Sequence, residues 1–413
     1  MATYNGNTNV LQTTMMQDFL AHLDRNRVFT PWANRKYEGE LKRQGQTIDV
    51  PVSPSHFVGT SNGDAGGTIP LKNTTISKAS LTVEQVEQDR RPISDIEELR
   101  TKYSEHSEFL ERMAQWLSQQ QERHIGVEAL RGVAADNDLV ATPTSISDGY
   151  AVVRAMRKAL AKKNVFGGAM FVNPAVADLL VSNANLHDGF SEGLRNRMAN
   201  WVPGSDGFVT QLSGFKVYQT NNLPFKVSLG MATAPTATDT VVISITDPES
   251  GTSSDVTFTF VSTIGTTAGN VLIGANVGES QANLLAAINN PGTTSATQVA
   301  LSTADQALLT SVRAQLGAWS SDAADLTYTS QGTVAVSETF TDGTDAWGAI
   351  GTQLLAYDNE AVNFVDQMSK FQVVSQAANT EAFADILKYE SVFQAAVLGR
   401  NEDRIAAYST TTV

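Results

Sequence analysis

PISDIEELRTKYSEHSEFLERMAQWLSQQQERHIG, residues 92–126, carries helix signals at both of its ends. Ser94-x-x-Glu97 fits a capping box, in which the serine side chain accepts the Glu97 amide and the glutamate reaches back. Gly126 supplies a stop, since glycine takes the left-handed conformation after a helix without strain. Between them Ile96, Leu99, Tyr103, Leu110, Met113 and Leu117 recur at steps of mostly three or four, with His106 at one seam position. As one helix the stretch predicts a rod of about 48 Å. A coiled coil is the competing reading, but glutamine and histidine in so short a seam make a poor zipper. The stretch reads instead as the spine of a domain.

The full chain has 413 residues, enough for two or three domains with sizeable cores. No apolar run is long enough to cross a bilayer. The opening MATYNGNTNVLQ has neither a basic nor an apolar leader segment, so no secretory signal is expected. Cysteine is absent, which excludes disulfides, thiolate metal sites and a cysteine nucleophile and fits synthesis in a reducing cytoplasm. The net charge of −14 is unevenly placed. Between Val227 and Ser369 stand fourteen acids and one base, Arg313, while the remainder is nearly neutral. Such a stretch is repelled by nucleic acid and favours a solvated face.

Residues 8–25 predict a short amphipathic helix with Leu11, Phe19 and Leu23 on one face, docked on its own chain or exchanged with a neighbour. From Tyr37 to Val83 the period becomes two. Ile48, Val50 and Val52 mark one strand, and Ile76, Leu81 and Val83 mark its return. The link SPSHFVGTSNGDAGG cannot pack a core, so a long ribbon with a mobile tip is expected, lying on other material such as another subunit. Residues 147–163 predict a helix with Val152, Val153, Met156 and Leu160 inward and Arg154, Arg157, Lys158, Lys162 and Lys163 outward. A strand at Ala169–Pro174, a helix through Val181 and a hairpin over 207–218 with a Ser-Gly turn suggest an α/β or α+β unit.

At Met231 the composition shifts to Thr, Ser, Ala and Gly. Strands are expected at 241–245, 256–261, 326–329 and 334–340, and helices at 279–289 and 303–316, enough for a folded module. Ordinary composition returns at Ala346. A strand is expected at 371–374, then a helix from Phe383 and a final strand by Ala407. The chain reads as a domain interrupted by an insertion and then resumed.

No constellation for chemistry stands out. His22, His56, His106, His124 and His187 are scattered outside any metal-ligand spacing. There is no G-x-S-x-G, no Walker A loop and no G-x-G-x-x-G leading into a helix. Gly63–Gly67 has no helix to bind phosphate, and Asp342-Gly-Thr-Asp345 lacks EF-hand spacing and reads as a turn. Asn73-Thr-Thr75 is a chance sequon. The basic face of 147–163 reads as solvated, with phosphate as the alternative. No catalytic, cofactor or metal site is expected.

Four stretches carry a family resemblance: 34–40 with 45–51, the spine 92–126, 169–174 with Gly214-Phe-Lys-Val-Tyr-Gln-Thr-Asn-Asn-Leu-Pro224, and 358–367. Their order resembles the major capsid proteins of tailed double-stranded DNA phages with the HK97-type fold, especially the phage P22 coat-protein-like branch. The resemblance implies an α+β fold with an N-terminal arm (1–33), an E-loop ribbon (34–85) and a P-domain with the spine helix (86–145). It implies an A-domain in two parts (146–230 and 342–382), split by a small acidic β-rich or α+β insertion (231–341), and a P-domain return (383–413). The function implied is a structural, non-enzymatic subunit that self-assembles as hexamers and pentamers into an icosahedral virion shell. Scaffolding protein, portal and DNA, bound on the inner face without sequence specificity, are its implied partners. No membrane is involved, and assembly is expected in the host cytoplasm. Phe19, Leu23, Phe57, Gly59, Gly63 and Gly67 are the expected subunit contacts. An encapsulin-like compartment shell and a pocket-containing binding protein or enzyme are the alternatives.

Overall fold

The long helix runs from Glu105 to Arg131, so Gly126 lies inside it rather than at its end. The computed structural model describes residues 19–20, 27–41, 45–52, 77–93, 105–140, 144–182, 207–212, 214–246, 252–312, 315–320, 323–328, 334–341, 345–374 and 385–411. In chain order a strand pair, β1 (Thr47–Val52) and β2 (Ser77–Thr82), precedes β3 (Gln85–Ile93) and the long helix α1 (Glu105–Arg131). Then come α2 (Gly149–Lys162), β4 (Gly168–Val172), α3 (Pro174–Ser182), β5 (Phe208–Leu212), β6 (Phe215–Gln219) and β7 (Phe225–Gly230). The stretch of altered composition holds β8 (Thr240–Thr246), β9 (Ser253–Val261), β10 (Asn270–Leu272), α4 (Val277–Asn289) and α5 (Thr303–Val312). It continues with β11 (Gln315–Ser320), β12 (Ala323–Tyr328) and β13 (Val334–Glu338). After it follow β14 (Ala346–Trp347), β15 (Gly351–Tyr357), β16 (Asn363–Val374), β17 (Asp385–Ala396) and β18 (Ile405–Thr411).

Two glycines explain the corrected end of α1. A Cβ on Gly126 would lie 3.2 Å from Pro224 Cδ, so this glycine serves a close helix–loop approach. Gly132, directly after the last helical residue, faces Val397, where a Cβ would come within 2.4 Å. The start is corrected as well. Pro92 and Ile93 close β3, an outer strand, where a proline's missing N–H breaks no ladder. The Ser94–Glu97 pair, Ile96, Leu99 and Tyr103 lie outside the described residues. Leu110, Met113 and Leu117 are buried as the spacing predicts, while Glu111, Arg112, Gln115 and Trp116 are exposed. From Gln120 to Val127 every residue is buried, polar ones included.

The helix rests on a three-stranded antiparallel sheet ordered β16-β17-β3. The helix expected from Phe383 is thus a central strand in fact. Ile386, Leu387, Tyr389, Val392 and Phe393 are buried, and the two edges of β17 are paired along eleven and nine residues. Pairing on two sides overrides a helix-like spacing.

A nine-stranded sheet forms the second layer, ordered β11-β12-β7-β15-β4-β6-β5, with β14 on β7 and β18 on β15. β15 is buried along its whole length, between β18 on one side and β4 and β7 on the other. The expected β5–β6 hairpin closes at Gly214, whose φ of +91° only glycine adopts readily. One core joins α1, α2, α3 and this sheet to the β16–β17 pair.

The inserted stretch forms a four-stranded sheet, β10-β9-β8-β13, over a second core that includes Ile243, Phe258, Phe260, Leu284 and Ile288. This core also takes in Val227, Leu229 and Met231. The expected helix 303–316 stops at Val312, and the chain then turns into the β11–β12 hairpin. That hairpin pairs with β7 from Phe225 to Gly230, so the insertion extends the large sheet.

The ribbon differs from expectation at its base. Leu81 and Val83 are buried with Leu41, Val365, Val392 and Leu398 of the same chain, and Ile48 and Val50 pack beside them. Its other side carries Thr47, Asp49, Lys78 and Ser80, all exposed.

Candidate assembly surface

Residues 27–30 arrive at α1 as backbone in need of acceptors, and Glu122 supplies them. Its buried carboxylate accepts the N–H groups of Val28 at 2.9 Å and Thr30 at 2.9 Å, the N–H of Phe29, and the Thr30 hydroxyl at 2.7 Å. Burial pushes this carboxyl above the ordinary glutamate value, while the four donors pull it back. Beside it the Arg27 guanidinium donates to Gln121 and, at 2.6 Å, to Asp366 of β16. Gln121 also donates to Asp366 at 3.0 Å. Phe29 follows into the core, with its ring 4.4 Å from that of Phe171 and stacked at 6.4 Å on Tyr357. Burial drives the Tyr357 hydroxyl well above the ordinary tyrosine value, and the Glu122 charge adds to this. Residues 27–30 are therefore bolted to the long helix and to both sheets.

Sequence reading missed this bolt. The unbroken polar run from Ser118 to His124 on the long helix was its only signal.

Phe19, expected at a subunit contact, is instead buried in its own chain's core, its ring centroid 5.6 Å from that of Tyr389. That expectation is corrected: Tyr389 of the central strand β17 already covers the ring. Leu23, Phe57, Gly59, Gly63 and Gly67 lie outside the described residues. Large apolar side chains left at the described surface are Phe166, 69% exposed, with Trp116 and Leu20. Phe166 precedes β4 at the mouth of the β5–β6 hairpin, since Gly214 leaves no room for a Cβ beside its carbonyl.

The other singled-out residues take structural places. His124 is buried edge-on to Phe393 at 5.6 Å. His106 lies on α1, and His22, His56 and His187 are outside the described residues. Asp345 is buried and accepts from the Ala232 N–H and the Thr233 hydroxyl, stapling the two connections of the inserted stretch. Among the described residues no cluster of His, Asp and Glu could hold a metal ion. No described helix is long and apolar enough to cross a membrane.

No protein-family model and no curated protein matches the chain. Among solved structures it is similar to one from Mycobacterium phage Che8, at 14% identity and a TM-score of 0.48, covering 92% of this chain and 90% of that one. It is also similar to a chain of the bacteriophage PhiM1 mature capsid, at 11% identity and a TM-score of 0.45, over 94% and 88% of the two chains. A virus-like particle from Pyrococcus furiosus gives 7% identity and a TM-score of 0.42, over 95% and 97%. All three fall below a TM-score of 0.5, so the functional reading rests on the chain's own residues and surfaces.

Proposed function

We propose that the chain is a structural subunit that self-assembles, as hexamers and pentamers, into the icosahedral shell of a tailed phage around its double-stranded DNA. One observation carries this reading. A ribbon of two strands, with a polar outer side and no third strand among the described residues, is set on a rigid body. That body is a spine helix, a long antiparallel sheet and a nine-stranded sheet, in the order that the resemblance of residues 34–51, 92–126, 169–224 and 358–367 implies. A two-stranded sheet is marginal in water, and a subunit that offers one to a neighbour gains the missing contacts on association.

Residues 1–33 act as the arm, 34–85 as the ribbon, and 86–145 with 383–413 as the spine domain. Residues 146–230 and 342–382 form the second domain, and 231–341 form an acidic module on the outer face of the shell. Scaffolding protein and portal are its partners during assembly in the host cytoplasm, and the virion is its destination. Electron cryomicroscopy of the expressed chain tests this: closed particles are expected, with density for 231–341 on the outside. A species no larger than a few subunits would overturn the shell. Inner-wall density for the module would overturn its placement.

A further inference from the structure

We propose that the outward face of α2 is a contact for the phosphate backbone of nucleic acid. Val152, Val153, Met156, Ala159 and Leu160 bury one side of this helix. The opposite side presents Arg154, Arg157, Lys158 and Lys162, all exposed. Over α2 there is no carboxylate at all. Asp148, just before it, accepts the Tyr150 N–H as the helix cap.

The chain has acids to spare, with a net charge of −14, yet none lies on this face. Elsewhere several cations meet carboxylates, Arg35 with Glu38, Lys78 with Asp49, Arg131 with Glu128 and the half-buried Arg404 with Asp358 and Glu360, while the exposed Lys36 and Lys216 lie over the rings of Tyr37 and Trp32. Even Lys163, one residue past the helix, is bridged to Asp403 at 2.9 Å. The four cations of the face make no ion pair among the described residues. Arg154 and Lys158, and then Lys158 and Lys162, stand at i,i+4, where like charges destabilise a helix. A polyanion relieves that repulsion. Over about 12 Å of helix, from Arg154 to Lys162, a duplex offers a phosphate charge roughly every 1.7 Å of its axis. Arg154 is held over the Tyr150 ring at 5.8 Å, which leaves its planar fork open to phosphate oxygens.

A neighbouring copy's acidic module is the rival occupant, but five of its described acids are engaged within the module. Asp239 and Asp345 are buried. Glu279 and Asp305 sit in helix caps. Asp255 accepts from Ser244. The contacts on α2 touch no base edge, so the binding is sequence-independent.

The proposal draws on the shell reading only for the source of the DNA. Its test is anisotropy of a labelled random-sequence duplex of about 30 base pairs, titrated with the soluble full-length chain between about 50 and 200 mM salt. The slope of log affinity against log salt should fall by about 0.9 for each of Arg154→Gln, Arg157→Gln, Lys158→Gln and Lys162→Gln. The fourfold variant should lose at least about tenfold in affinity at the lower salt. Lys78→Gln, on the ribbon, should change neither quantity. All variants should melt with the wild type or slightly above it. The absence of wild-type binding, or an unchanged fourfold variant, overturns the proposal. A fourfold variant that binds DNA normally but forms no particles makes the face a subunit contact and overturns it too. Particles are scored separately by electron microscopy, so a chain that binds DNA but never assembles fails the shell reading alone.

Discussion

Thr30 meets Glu122 twice: its backbone N–H donates to the carboxylate at 2.9 Å and its hydroxyl at 2.7 Å. The two residues are far apart in sequence, and the bond fixes residues 28–30 to the long helix. Glu122→Ala leaves these donors and the amides of Val28 and Phe29 buried without an acceptor. It should cost about 3 kcal/mol or more, with Glu122→Gln, which keeps one oxygen, costing less. Urea denaturation of soluble chain measures both. An alanine variant as stable as the wild type would remove the bolt from the account.

Leu110 is 4% exposed on the inward face of α1. Leu110→Ala should cost about 2–5 kcal/mol, while Gln115→Ala, on the exposed side, should change stability by less than about 0.5 kcal/mol. Soluble yield should fall for the first variant before any change of particle shape. Equal melting of the two variants would mean that the helix faces the other way.

Gly132→Ala places a methyl group 2.4 Å from the Val397 Cβ. The methyl cannot stay there, so Val397 or the end of α1 must move, at a cost of about 1–3 kcal/mol. Val397→Gly in the same chain, which removes the Cβ it meets, should return part of that loss. A double-mutant cycle with no coupling between the two sites would contradict the contact.

Joining Gly230 to Gly343 with a short linker strips β11 and β12 from β7. It also uncovers Val227 and Leu229, both now buried in the insertion's core. The shortened chain should therefore lose soluble yield and bind a hydrophobic dye. A shortened chain that melts like the full one would show that the insertion is separable.

What could be read in advance was local. Strict alternation marked β8 and β9, as the buried Val241, Ile243 and Ile245 attest. The apolar face of α2 followed from its spacing, and its cap lies one residue outside the helix. Where the reading failed, distant partners decided. Ile386, Tyr389 and Phe393 satisfy a helical repeat as well as a strand, and only β3 and β16 on either side make them a strand. Gly126 looked like a helix stop because Pro224, the reason for its missing side chain, lies in another element. The β11–β12 hairpin crosses a compositional border that pairing ignores. Glu122 was marked only by a polar run that names no partner, since its four donors come from residues 28–30, before the ribbon.

The position of β15 has a consequence for how the chain is made. β4 hydrogen-bonds to it through Ala169, Met170 and Phe171, and β18 then lines its whole opposite side. On a ribosome β4 emerges early and finds β6 soon after, but its other side waits for β15, which in turn waits for β18. From residue 172 to 411 that wait is roughly 10–50 s at about 5–20 residues per second. β3 waits longer still for β17. The native sheets therefore close only after most of the chain is released.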